Sequence, residues 1–101
     1  MLTYYNFSGD PAQTFTAEVG LPIWKKDVEN SAGVYVRNVP KMKCASAIFQ
    51  GPLTKLGDAW HTFATSATSK GEVTGESHEL YLYWEGRASP NNIIELQMVL
   101  K

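Results

Sequence analysis

The chain has 101 residues, 44% hydrophobic and 19% charged, which is the composition of one folded domain with a modest core and not of a disordered segment. Nine Lys and Arg stand against ten Asp and Glu for a formal net charge of −1, so direct nucleic-acid binding is not expected; the pairs Lys25–Lys26 and Lys41/Lys43 are too sparse to hold phosphates. No run approaches the roughly 20 apolar residues of a membrane span, and no N-terminal stretch reads as a signal peptide, so the expected location is the cytoplasm.

Leu2 to Phe7 is rich in aromatics and predicts a short strand, closed by the turn Ser8-Gly9-Asp10-Pro11. Thr14 to Val19 alternates as a second strand until Gly20 and Pro22 interrupt it ahead of Ile23 and Trp24. Residues 25 to 32 are polar and read as a loop. Gly33 to Val39, ended by Pro40, and Met42 to Gln50 predict two more strands. Cys44 is the one cysteine, which leaves neither a disulfide nor a metal cluster to build, and it is expected to pack as a small buried hydrophobe. Pro52 suits a first helical turn, and Leu53, Leu56, Trp60, Phe63, Ala64 and Ala67 then recur at helical spacing. The expected helix spans residues 53 to 70, with Gly71 as its stop. Strands at Glu79 to Trp84 and Ile93 to Leu100, joined by the loop 86–92, complete the chain. Strands, one long helix and strands again give an α+β class with a mainly antiparallel sheet.

The stretch His78-Glu79-Leu80-Tyr81-Leu82-Tyr83-Trp84-Glu85 carries the most chemistry. Alternation on a strand places Leu80, Leu82 and Trp84 on one face and Glu79, Tyr81, Tyr83 and Glu85 on the other. A carboxylate between phenol rings can hold an organic cation, by charge pairing and by the ring quadrupoles. The competing reading is a solvated sheet face, where Tyr is common because it suits the pleat. Leu80, Leu82, Trp84, Leu96 and Met98 are the expected partners of the helix, which turns Glu79, Tyr81 and Tyr83 away from it. On that side Tyr4, Tyr5, Phe7, Phe15, Trp24 and Tyr35 are candidates to line a concave aromatic pocket; aromatics make up 12% of the chain.

Val39-Pro40-Lys41-Met42-Lys43-Cys44-Ala45, Phe49-Gln50-Gly51-Pro52-Leu53 and Leu56 with Ala59-Trp60 resemble the GyrI-like effector-binding domain family, the multidrug-sensing half of AraC-type and MerR-type bacterial regulators. The strand Glu79-Leu80-Tyr81, then Ser89-Pro90 and a last strand holding Glu95, follow the same pattern. Upstream, Tyr4-Tyr5 and Phe15 through Gly20-Leu21-Pro22-Ile23 resemble the family's middle hairpin. The resemblance covers nearly the whole chain and implies a curved, barrel-like cup of about six strands with the helix packed outside. It also implies a ligand site for lipophilic cations built on Glu79, with Tyr81, Tyr83, Tyr4, Phe15, Trp24, Tyr35, Phe49 and Trp60 around it. Family domains carry two repeats of strand-helix-strand-strand; the resemblance implies that residues 1–101 are a single such domain without the first strand and first helix.

The function implied is a stand-alone module that senses or sequesters hydrophobic cations without a cofactor and without catalysis, or the ligand-binding subunit that works with a DNA-binding partner. Three alternatives come with the resemblance: a hydrolase of strained electrophilic compounds using Glu79 as general base, a protein inhibitor of the gyrase-inhibitor type, and a haem binder like the related SOUL domains. Trp60 suits the core, with its indole edge towards the pocket rim. Glu95 is either a second acid or a surface charge, His61 is expected at the surface, and His78 on the face opposite Glu79.

Overall fold

The structure is a computed structural model that describes residues 1–5, 12–21, 35 and 38–101. The alternating segments form five strands: β1 (Leu2–Tyr5), β2 (Thr16–Val19), β3 (Cys44–Gln50), β4 (Val73–Tyr83) and β5 (Ile93–Leu100). They make one open antiparallel sheet in the order β2-β1-β4-β5-β3. The α+β class stands, but among the described residues five strands form an unclosed sheet, where a cup of about six was expected. The expected strand at Gly33 to Val39 lies largely outside the described residues, as does Trp24.

β3 and β4 both run antiparallel to β5 and so parallel to each other, which requires a crossover, and the helix supplies it. The Gly51-Pro52 step turns the chain from β3 into that helix. Gly51 sits at φ 154°, and a Cβ there would lie 3.2 Å from the end of the Phe49 ring, so only glycine fits without displacing the ring. Pro52 follows with extended backbone, one 3-10 turn spans Leu53–Lys55, and α1 spans Leu56–Ala67. The helix stops short of residue 70: the Ser69 and Lys70 N–H groups bond three residues back, to the Ser66 and Ala67 carbonyls, and the Thr68 and Ser69 hydroxyls donate to the Thr65 and Ser66 carbonyls.

α1 packs on β3 and β5. Leu56, Phe63 and Ala67 from the helix and Ile94 and Leu96 from β5 form the buried core, flanked by Ala45, Ala47, Phe49, Leu53, Ala59, Trp60 and Met98. Directly paired residues in an antiparallel sheet share a face. The row Val19, Leu2, Glu79, Leu96, Ala47 therefore faces the helix side across all five strands, as does the row Ala17, Tyr4, Ser77, Met98, Ala45. Leu80 pairs with Glu95 and belongs to the opposite face.

This register inverts the expected placement of β4. Glu79 and Tyr81, opposite Leu96 and Ile94, lie on the helix side, while Leu82 is 56% and Trp84 44% exposed. Alternation separates two sets of side chains but does not say which set the helix covers; the pairing with β5 decides it. Cys44 is half-buried with a free thiol, not fully packed.

The two placements agree on Leu96 and differ on Leu82, so the cost of one truncation relative to the other separates them. Leu96→Ala should lower stability by about 2–5 kcal/mol in denaturant unfolding, and Leu82→Ala by no more than about 0.5 kcal/mol. Equal or reversed costs would contradict the register.

Candidate functional site

Glu79 is 2% exposed, an unusual setting for a carboxylate. Three donors from three parts of the chain converge on it. The Trp60 indole Nε1–H of α1 donates to Oε2 at 2.6 Å, the Tyr81 hydroxyl of β4 to Oε1 at 2.9 Å, and the Tyr4 hydroxyl of β1 to Oε1 at 3.4 Å. Each arises from local geometry. Tyr81 lies two residues along the strand on the same face. Tyr4 comes from the neighbouring strand, because Leu2 pairs with Glu79 and Tyr4 sits one same-face position farther on. Trp60 occupies the helix stripe beside Phe63, its ring 5.7 Å from the Phe63 ring, and its N–H reaches past the core to β4.

All three donors are neutral, and among the described residues no Lys, Arg or His pairs with Glu79. The phenols respond to the charge beside them. Burial, and then the nearby Glu79 charge and hydrogen bond, push the Tyr4 hydroxyl from 10.0 up to about 12. Burial first, and then the hydrogen bond to Glu79, raise Tyr81 farther. Both rings are therefore held as neutral donors throughout the physiological range.

The aromatic surround is only partly the expected one. Phe15 packs on Tyr4, with ring centroids 5.8 Å apart, so it belongs to the cluster. Trp84 was assigned to the other face, yet its ring meets Tyr81 edge-on at 5.5 Å. A register irregularity between Tyr81 and Tyr83 resets the alternation and brings it there; nothing in the residue pattern announces such a bulge.

Three expected members stand elsewhere. Tyr83 is exposed and donates to Glu85 at 2.6 Å, and Glu85 is also held by Ser89 and Asn91 as a strut of the β4–β5 loop. Those bonds hold the Glu85 carboxyl below its ordinary range and push the Tyr83 phenol up. Phe49 packs against the core cluster, and no bond or ring contact joins it to Glu79 among the described residues. Tyr35 bonds to Glu18, whose row with Thr3 and His78 faces away from the helix.

That opposite face carries its own polar chain. His78, 1% exposed, contacts Glu76 through Nε2 at 2.6 Å and Gln97 through Nδ1 at 3.2 Å, while the Gln97 amide donates to Glu95. Glu95, opposite Leu80, thus lies on the other face of the sheet from Glu79. Among the described residues no group of three His, Cys, Asp or Glu could hold a metal ion, and no helix is long and apolar enough to cross a membrane.

A comparison with known families matches residues 1–101 to the GyrI-like small molecule binding domain. The chain belongs to this family. No curated protein and no solved structure matches it. As a GyrI-like domain it is a small-molecule binding module, and its buried carboxylate ringed by aromatics is the candidate binding site.

The alkaline titration of this GyrI-like domain reports the cluster. Raised phenol pKa values leave the folded state intact below pH 10 and cost it stability as the pH rises from about 10 through about 12. Ultraviolet titration of tyrosinate should show Tyr4 ionising near 12 and Tyr81 later. Glu79→Gln should move both midpoints down without restoring 10.0, since burial is the larger cause. Five tyrosines titrating together near pH 10 would refute the cluster.

Proposed function

We propose that this GyrI-like domain binds hydrophobic, cationic, drug-like molecules through Glu79, sensing or sequestering them alone or as the ligand-binding part of a transcription regulator. One observation carries the reading: a buried carboxylate held, among the described residues, only by neutral donors. Hydrogen bonds satisfy its lone pairs but leave its charge uncompensated. A cation 4 Å away at an effective dielectric constant of 20 gains about 4 kcal/mol of Coulomb energy. The ring faces of Tyr4, Tyr81 and Phe15 add quadrupole attraction that a neutral guest does not receive.

The bond lengths suggest the entry. Tyr4 makes the longest contact, 3.4 Å, whereas Trp60 and Tyr81 hold the carboxylate at 2.6 and 2.9 Å. An incoming cation replaces the Tyr4 hydroxyl and leaves the other two donors to orient Glu79. A second reading, hydrolysis of strained electrophiles with Glu79 as base, rests on the Glu79–Tyr81 pair, and product formation from such a compound tests it.

Fluorescence titration with cationic aromatic dyes tests the binding. Glu79→Gln should weaken binding by about 1.5–3 kcal/mol, roughly tenfold to a hundredfold. Tyr4→Phe, which removes only the competing hydroxyl, should bind as well as the parent or better. Unchanged dye affinity in a folded Glu79→Gln protein would remove Glu79 from the site.

A further inference from the structure

The sheet has two open edges among the described residues, and they differ in kind. β2 is four residues long and carries a carboxylate, Glu18, engaged by Tyr35. β3 is seven residues long, Cys-Ala-Ser-Ala-Ile-Phe-Gln, with no charge and no proline. Sheet edges that stay solitary are ordinarily short or guarded by Lys, Pro or a bulge. β3 pairs with β5 in unbroken register over its whole length and lacks all of these. Ile48 on this strand is 62% exposed.

We propose that β3 is a homodimer edge, pairing antiparallel with β3 of a second copy about a twofold axis through Ala47. The geometry is self-complementary, as a twofold interface must be. With Ala47 on the axis all seven residues pair. Phe49 then lies opposite the second copy's Ala45 on the helix side, large against small, and Ile48 lies opposite the second copy's Ser46 on the other face. An axis normal to the sheet keeps both α1 helices on one side. A shallow groove between α1 and β3, lined by Ala47, Phe49, Ala59, Phe63, Thr62 and Asp58, then faces its counterpart across the axis.

Charge completes the match. Lys43 immediately precedes β3 and is exposed, and Asp58 on the groove wall is exposed; neither makes an ion pair among the described residues. The dyad sets the second copy's Lys43 opposite Gly51, at the end of β3 where α1 begins and Asp58 stands, so two Lys43–Asp58 pairs form across the axis. No like charges meet along the paired strands. The product joins the five described strands of each copy into one continuous sheet, with both Glu79 sites on one side.

Light scattering coupled to size exclusion, across a range of protein concentrations, tests the edge. The parent should be a dimer. Ser46→Lys, a charge on the exposed face of the edge strand, should give a monomer with unchanged circular dichroism. Lys43→Asp and Asp58→Lys should each weaken dimerisation at least tenfold, and the double variant should recover it. A monomeric parent at several hundred micromolar, or a dimer indifferent to Ser46→Lys, would overturn the proposal. So would a double variant no better than the singles.

Discussion

The Trp60–Glu79 hydrogen bond is the interaction on which the arrangement of this domain turns. It is the point where the helix, which packs on β3 and β5, reaches across to β4. An indole N–H has a single donor and a buried carboxylate can only accept, so each needs the other where water is scarce. A bond of this charge-assisted kind contributes about 1.5–3 kcal/mol, and leaving either partner unsatisfied costs a comparable amount. It fixes the indole at the margin of the core and holds Glu79 beneath the aromatic rings.

The site consequently lies at a seam. On one side, α1 covers β3 and β5 and encloses Leu96 and Ile94 completely. On the other, β1 and β2 continue the same face, and Val19, in the same row as Glu79, is 82% exposed. A carboxylate on the border between a dry core and an open shelf is buried enough for charge to count and near enough to the surface for a guest to arrive. Tyr81, 39% exposed, bridges the two environments.

Much of this was legible in the residues. The helical spacing of Leu56, Trp60, Phe63 and Ala67 located α1, and Glu79 with Tyr81 marked the carboxylate–phenol pair. Trp60 was legible as a core residue, and it packs against the core while its N–H donates to Glu79. The facing of β4 was not legible, because a period of two is symmetric: exchanging Leu80 for Glu79 as the helix-side residue leaves the pattern intact. The pairing of Glu79 with Leu96 breaks that symmetry, and it is a long-range fact. Trp84 was hidden for a related reason, since the irregularity after Tyr81 changes parity where the sequence continues to alternate. Phe49 stood in the ligand site that the resemblance implies, but it packs against the core beside Gly51.

The central claim is that Glu79 selects its guest by charge and not by apolar fit alone. Calorimetric titration with an aromatic quaternary ammonium compound and its uncharged carbon isostere isolates that term, because the two share shape and apolar area. The cation should bind at least tenfold more tightly, about 1.4 kcal/mol or more. Equal affinities for the pair would contradict it and reduce the site to an apolar recess with a buried structural acid.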